Sequence, residues 1–198
     1  MGTEPVRGKP TEARPTRTGL PDYIPFRPRV LFVGYNPGRK SAAAGHHFAG
    51  PNNHFWRLLH ESGFTERLFP PEEDALLPAY GLGLTNIVAR MTPSSSDLSW
   101  AEMLAGGGAL RDKVDRCRPQ VVCLLGKDVY RAYAGLSRTR PVAWGFQAKP
   151  QVPGTRDFVM PNPSSRSTVP YQQRLALFRE LQSAVAGGGF SRRRPSRA

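Results

Sequence analysis

The sequence predicts a three-layer α/β/α protein, in which helices cover both faces of a central, mostly parallel, four-stranded sheet. Three observations favour this class. Four short apolar runs, each ending in glycine, proline or a polar turn, have the length of buried strands. Segments with helical spacing of apolar residues separate the runs, as in parallel strands joined by helical crossovers. The 198 residues, 39% of them hydrophobic, suffice for one well-buried core.

The first half of the domain contains two predicted strands, at 29–34 and 81–88. Between them we expect a loop over 35–50, which is rich in small residues. A helix is predicted from Asn53, a good N-cap, to Gly63. A second helix is predicted over 71–79, because proline and three acids favour a helix start.

The second half contains two further predicted strands, at 119–126 and 158–160. Asp97 is expected to be the N-cap of a helix that the glycines at 106–108 break, and another helix should run to about Arg118. A helix is predicted to begin at Lys127. The last helix carries an apolar stripe formed by Tyr171, Leu175, Phe178, Leu181 and Val185.

The charge distribution predicts a polyanionic partner. We expect a disordered basic arm at 1–20, a domain at 21–186 and a disordered basic tail at 187–198. The formal net charge is +13, and the two terminal segments supply six of these charges, so the domain itself keeps +7. Such an excess favours nucleic-acid binding.

Composition argues against a membrane protein and against a metal centre. No run approaches the roughly 18 to 20 apolar residues of a transmembrane helix, and no signal peptide is recognisable, so an intracellular location is expected. Cys117 and Cys123 are the only cysteines, too few for an iron–sulfur cluster. His46 and His47 are adjacent and would point apart, so we expect no metal and no cofactor.

Four polar turns, at 35–48, 90–97, 126–127 and 161–168, each follow a predicted strand. Because the carboxyl ends of parallel strands meet at one edge, these turns should gather there and form the binding site. Each turn also has a simpler interpretation. Asn36 is a common turn residue, Asp97 an ordinary helix cap, and Lys127 follows a phosphate-loop-like Gly126 without that motif's first glycine. The last turn offers phosphate donors in Ser164, Ser165, Ser167 and Thr168, with Arg166 among them.

Several segments, in one order, resemble the mismatch-specific uracil- and thymine-DNA glycosylases of the uracil-DNA glycosylase superfamily. Gly34-Tyr35-Asn36-Pro37-Gly38 resembles their first motif and Met160–Arg166 their second. The intervening similar segments are Gly45–Trp56, Leu84–Arg90, Ser96–Ser99 and Leu125–Lys127. The resemblance covers roughly residues 29–182.

This resemblance implies a uracil-DNA glycosylase-like fold and a monofunctional enzyme that initiates base excision repair. Its implied substrate is uracil, with thymine or damaged pyrimidines as further candidates, in double-stranded DNA carrying G:U or G:T mismatches. The enzyme would act as a monomer in the cytoplasm or nucleoid, without metal or cofactor. Such enzymes flip the target nucleotide out of the duplex.

The resemblance also implies roles for individual residues in the base pocket. Phe48 would stack on the flipped ring, and backbone groups around Gly38 and Phe48 would bond its edge. Ser41 and Tyr35 lie where family members control access to the pyrimidine methyl group. Tyr35 replaces the more usual small aliphatic residue.

For chemistry, the predicted catalytic residues are Asn36, which would orient a water, and Asp97, a carboxylate that could accept the water's proton. The predicted DNA contacts are Lys127, Asn162, Ser164, Ser165, Arg166 and Ser167. Arg166 would occupy the space that the extruded base leaves. Two alternatives stay open, a non-catalytic binder of mismatched or abasic DNA with the same fold, and a nucleotide-metabolising α/β enzyme.

Overall fold

A computed structural model describes residues 19–186. The predicted tail at 187–198, and all but the last two residues of the predicted arm at 1–20, lie outside the described residues. The described chain contains a five-stranded sheet in the order β2-β1-β3-β5-β4. Its strands are β1 (Val30–Gly34), β2 (Leu82–Asn86), β3 (Val121–Leu125), β4 (Gly145–Phe146) and β5 (Arg156–Met160).

The sheet confirms the predicted α/β class and its mostly parallel character. Strands β1, β2, β3 and β5 are the four predicted strands, and they pair in parallel. Strand β4 was not predicted. It has only two residues, paired antiparallel to the edge of β5, and so short a segment carries no recognisable apolar pattern.

Within residues 19–186, five α-helices and two 3-10 helices surround the sheet. The α-helices are α1 (Arg39–Ala44), α2 (Phe55–Glu61), α3 (Trp100–Cys117), α4 (Lys127–Tyr133) and α5 (Tyr171–Ala186); the 3-10 helices are Pro71–Tyr80 and Ser95–Asp97. One prediction needs correction here, because helix α1 lies where a loop was expected. The helix predicted over 71–79 is present as the 3-10 helix Pro71–Tyr80.

The sheet separates two hydrophobic cores, as the predicted layers require. In β1, Val30 and Phe32 face the core that includes α2 and α5, whereas Leu31 and Val33 face the core that includes α3 and α4. This alternation is the two-residue period of a strand buried on both faces. The stripe predicted on α5 is confirmed, with Leu175, Phe178, Leu181 and Val185 all buried.

The prediction that glycines break the helix at 106–108 is wrong, because α3 runs through them unbroken. A Cβ on Gly106 would lie 2.1 Å from the carbonyl oxygen of Ile87, and a Cβ on Gly107 would lie 2.1 Å from that of Ala132. Any side chain would therefore hold α3 away from its neighbours. These glycines serve close packing, which outweighs their poor helix propensity.

The predicted N-caps also shift by one or two residues. Ser99, not Asp97, caps α3, and its hydroxyl accepts a hydrogen bond from Glu102 N at 3.2 Å. At α2 the N-cap is His54, while the side-chain oxygen of Asn53 accepts from Phe55 N at 3.0 Å. Both helices thus use polar residues at their starts, but not always the residue that composition favours.

Candidate active site

A cavity of about 770 Å³ opens at the carboxyl edge of the sheet. This edge is the topological switch point of an order that places β1 beside β3, where open α/β sheets bind their ligands. Three of the four predicted turns contribute to it, whereas neither residue of the predicted turn at 126–127 lines it and only Leu125, at the end of β3, does. The lining includes Gly34–Ser41, Phe48, Asn86, Thr92–Ser95, Leu125 and Asn162–Ser167.

Asn36 is held so that its amide oxygen is left for a ligand. Its Nδ2 donates to the carbonyl oxygen of Arg90 at 2.9 Å and to the hydroxyl oxygen of Thr92 at 2.7 Å. Because a carbonyl only accepts, the bond to Arg90 fixes which end of the amide is nitrogen. Thr92 in turn donates to Ser94 O at 2.6 Å. The Asn36 oxygen therefore remains an oriented acceptor on the cavity wall.

Phe48 places an aromatic ring in the cavity from a strained backbone. Its φ of 54° lies in the left-handed region, which costs a residue with a Cβ about 1–2 kcal/mol. One face of the ring stacks on Phe55, with centroids 4.1 Å apart. No acceptor for the Phe48 N–H is found within residues 19–186. Ring and amide together form a surface suited to a flat, polar-edged ligand.

Side chains on both sides of Phe48 hold this backbone in place. The amide before it, His47 N, donates to Asp74 Oδ2 at 2.8 Å. The amide after it, Ala49 N, donates to Ser41 Oγ at 3.1 Å. Ser41, predicted to control methyl access, thus lines the cavity while also supporting the loop that carries the ring.

Tyr35 forms part of the cavity wall and packs against the turn between β3 and α4. A Cβ on Gly126 would lie 2.5 Å from the Tyr35 ring, and Gly126 has a φ of 145°. Burial, followed by the negative charge of Asp128, raises the pKa of Tyr35 to about 12. The hydroxyl therefore stays protonated. The ring packs so closely on Gly126 that any larger residue at position 126 would force the ring or the backbone to move.

Asn86 is a cavity residue that the sequence did not reveal. It ends β2, and its Oδ1 lies 2.5 Å from the position of a Cβ on Gly34, so Gly34 must lack a side chain. A Cβ at Gly34 would also lie 3.5 Å from the Phe48 ring. The Asn86 side chain makes no hydrogen bond within the described residues. Its place at a strand end, inside the similar segment Leu84–Arg90, was the only indication in the sequence.

The loop after β5 presents exposed side chains on an ordered backbone. Asn162 Oδ1 accepts from Ser164 N at 2.8 Å, and Ser164 Oγ accepts from Arg166 N at 3.2 Å. Ser165 N donates to Asn52 O at 3.0 Å. Ser165 and Arg166 themselves are exposed. The predicted DNA contacts from Asn162 to Ser167 therefore lie together on the cavity rim.

A buried cation that the sequence analysis missed lies under this loop. Arg174 is 3% exposed, and its Nη1 donates to the carbonyl oxygens of Pro163 and Ser164, each at 3.2 Å. Its Nη2 lies 3.1 Å from His54 Nδ1. Burial, and then the charge of Arg174, lowers the pKa of His54, which keeps Nδ1 an acceptor. Arg174 is not part of the apolar stripe predicted on the last helix, so the sequence pattern gave no indication of its role.

Two predicted site residues, Asp97 and Lys127, are not part of the cavity lining. The Asp97 carboxylate accepts from Ser94 N at 3.0 Å and completes a capping box. Lys127 begins α4 and lies over the Trp144 ring, 4.4 Å from its centroid. Both are beside the rim rather than inside the cavity.

The rim also carries cations that the sequence analysis did not single out. Arg39 and Lys40 line the cavity directly after Gly38 and are exposed, as Arg166 is. In the part of the chain that the structure describes, none of the three has a carboxylate within 4.0 Å. Their charges are available to an anionic ligand.

Two further findings bear on the site. Among residues 19–186, no group of three or more His, Cys, Asp or Glu is placed to hold a metal ion. None of the helices in the same range has the length and apolar character needed to span a membrane.

The fold and the cavity define an α/β protein whose pocket suits a flat, polar-edged group and whose rim carries exposed cations suited to a polyanion. The family model of the uracil DNA glycosylase superfamily matches residues 21–186. The chain belongs to that superfamily, whose members act on DNA, and membership indicates a DNA glycosylase, a hydrolase. The predicted superfamily is thereby confirmed, and its mismatch-specific branch stays a prediction.

A solved structure is similar in fold. The solution NMR structure of a candidate uracil DNA glycosylase from Methanosarcina acetivorans matches with a TM-score of 0.53 and 16% sequence identity. The match covers 84% of this chain and 98% of that chain. At this identity the likeness supports the fold alone.

Proposed function

We propose that the protein is a monofunctional, mismatch-specific glycosylase that hydrolyses the N-glycosidic bond of uracil in G:U-mispaired DNA. It would act as an intracellular monomer without a metal ion and would initiate base excision repair. The observation that carries the proposal is the pairing, in one cavity, of an oriented Asn36 oxygen with the stacking face of Phe48. The Asn36 oxygen would orient a water molecule, and the Phe48 ring would stack on a planar base.

Base flipping is the step that brings the substrate to these groups. The bond to be broken is inaccessible inside a duplex, and extrusion costs about a few kcal/mol, least at a mismatch. The cations Arg39 and Lys40 would bind phosphates around the extruded nucleotide. Arg166 would fill the space in the duplex, while Asn162 and the serines of the same loop hold the backbone.

The residues of the cavity suit cleavage through charge separation. As the C1′–N1 bond breaks, the sugar becomes positive and the departing uracil negative. The free amide of Phe48 and the Asn86 side chain are donors that can stabilise the uracil oxygens. Asn36 Oδ1 accepts one hydrogen of a water and directs its lone pair to C1′.

Proton balance requires no base in the cavity. Water adds its oxygen to C1′, and its proton passes to the uracil anion, so that the products are an abasic site and neutral uracil. Asp97 was predicted to take this proton. We propose instead that its carboxylate supports the turn bearing Ser94 and Ser95.

Substrate range should depend on Tyr35. Its ring is fixed on the cavity wall by Gly126 and replaces the smaller residue usual at this position. We propose uracil as the preferred base, and thymine or damaged pyrimidines as poorer substrates.

Product formation tests the proposed function directly. Purified protein is incubated with a G:U duplex in the presence of EDTA, and alkali-labile strand breaks are measured. We expect abasic product from the wild type and far less from Asn36→Ala. A shifted band without strand breaks would instead identify the non-catalytic DNA-binding alternative, and a preference for free nucleotides would identify a nucleotide-metabolising enzyme.

A further inference from the structure

A buried carboxylate behind the cavity, Asp74, holds the backbone that carries the Phe48 ring. Asp74 belongs to the 3-10 helix Pro71–Tyr80 and is 0% exposed. It does not line the cavity. Its Oδ2 accepts from His47 N at 2.8 Å, and its Oδ1 lies 3.2 Å from His46 Nδ1. The carboxylate therefore fixes the His46–His47 peptide, one residue before Phe48.

The direction of the Phe48 ring depends on this peptide. The left-handed φ of Phe48 is unfavourable for a residue with a Cβ. Without the hydrogen bond from His47 N to Asp74, the backbone at His47 can rotate, and Phe48 can relax toward an ordinary negative φ that would turn its ring away from the cavity. Two further contacts hold the adjoining peptides, since Trp56 Nε1 donates to His47 O at 3.2 Å and Ala49 N donates to Ser41 Oγ at 3.1 Å. Neither of them holds the His47 amide.

The surroundings of Asp74 indicate that its carboxylate serves the contact with His47 N rather than core packing. A buried carboxylate is costly unless it accepts several hydrogen bonds. Burial, and then interaction with Asp74, raises the pKa of Tyr23, so that the Tyr23 hydroxyl remains a donor. Leu77 already packs the same 3-10 helix into the core. An apolar residue at position 74 would suffice for packing alone.

We propose that Asp74 is a positioning residue of the glycosylase site. Acting through the His47 amide, it keeps Phe48 in the left-handed conformation in which the ring forms one face of the base pocket. Asp74 touches neither the base nor the DNA. The proposal rests on the function proposed above and adds a residue from a segment that contributes nothing else to the cavity.

The first test separates the rate of base removal from DNA binding. Single-turnover rates on a G:U duplex are measured with enzyme in saturating excess, alongside the Kd for the same duplex. Because small displacements of a positioned group can cost up to about a hundredfold in rate, we expect Asp74→Ala to lose about tenfold or more. The Kd should change by less than about threefold, since no DNA contact is removed.

The second test asks whether Asp74 acts through the ring. The double variant Asp74→Ala with Phe48→Ala is compared with each single variant. If Asp74 serves only to place Phe48, the double variant should be no slower than Phe48→Ala alone. Independent, multiplicative losses would overturn the proposal.

Matched variants exclude a general loss of stability. Asp74→Asn keeps an oxygen for His47 N and should retain most of the rate. Asp157→Ala removes another buried carboxylate, near the opposite end of β5, and should leave the rate unchanged where the variant is folded. Thermal unfolding checks each protein, and Asp74→Ser replaces Asp74→Ala if the latter does not fold.

The outcomes distinguish this proposal from the proposed function. An active wild type with a full rate in folded Asp74→Ala or Asp74→Ser overturns the role of Asp74 and leaves the glycosylase proposal intact. A wild type that makes no abasic product overturns both.

Discussion

Two parts of the cavity are built in opposite ways. One is its floor, by which we mean Tyr35, Asn36 and Phe48, and the other is the loop after β5. On the floor, side chains are fixed, since Asn36 makes two hydrogen bonds and Phe48 stacks on Phe55. In the loop Asn162–Ser167, the backbone is fixed from below by Arg174 while Ser165 and Arg166 stay exposed. Fixed side chains suit a reaction that needs one geometry, and free side chains on a fixed backbone suit a polymer that arrives in many conformations.

The largest effect is expected on the floor, from Asn36→Ala. This change removes the water acceptor and should lower the single-turnover rate on G:U duplex by about a hundredfold or more, with DNA affinity retained. Asn162→Ala in the loop is the matched control and should mainly weaken binding. If Asn36→Ala and Asn162→Ala lowered the single-turnover rate equally, the floor and the loop would not have the separate roles in reaction and binding that we describe.

Gly126→Ala tests how rigid the floor must be. The new Cβ would overlap the Tyr35 ring at a left-handed position, which should cost about 1–3 kcal/mol of stability. Displacement of the cavity wall should lower the rate by about tenfold. Thermal unfolding and single-turnover assays measure the two effects, and an unchanged rate would show that Tyr35 does not shape the pocket.

Arg174→Met tests the support beneath the loop. The variant keeps much of the volume but loses the guanidinium bonds to Pro163 O and Ser164 O, each worth about 1.5–3 kcal/mol for a charged donor. Since only part of this loss reaches the loop's DNA contacts, we expect affinity to fall by about tenfold, measured by fluorescence anisotropy. If Arg174→Met lowered the single-turnover rate at saturating enzyme but left the DNA affinity unchanged, Arg174 would not support the DNA contacts of the loop.

A smaller effect is expected from Arg166→Ala at the loop's surface. Loss of this positive charge from the bound duplex should weaken DNA binding modestly and lower the slope of log affinity against log salt by about 1. Titrations at several salt concentrations measure the slope. Thr168→Ala, in the same loop but without charge, should leave the slope unchanged.

The smallest effect is expected from Asp97→Asn. Because its carboxylate caps an exposed turn and does not itself line the cavity, the single-turnover rate should change by no more than about twofold. A fall comparable to that of Asn36→Ala would restore Asp97 as the group that accepts the proton.

Much of this architecture could be predicted from local patterns. The four apolar runs became the four parallel strands, and the edge at which their turns meet is where the cavity opens. Helix α1 and strand β4 could not be predicted in the same way. The first, Arg39–Ala44, has no apolar stripe, and the second is two residues long.

The glycines at 106–108 show why local propensity can mislead. Alone they predict a break, whereas in the fold Gly106 and Gly107 let α3 approach neighbouring carbonyl oxygens. The sequence by itself determined the layers and the location of the site, and it indicated Asn36, Phe48 and the loop residues Asn162–Ser167, which line the cavity. Those follow from periodicity and from short contiguous motifs.

Only the tertiary structure decided the roles of Asn86, Asp74 and Arg174. Each acts on residues that are far away in the chain: Asn86 lies over Gly34, Asp74 holds His47, and Arg174 holds the loop at 163–164. A buried polar group is recognised by its partners, and those partners become neighbours only when the chain is folded.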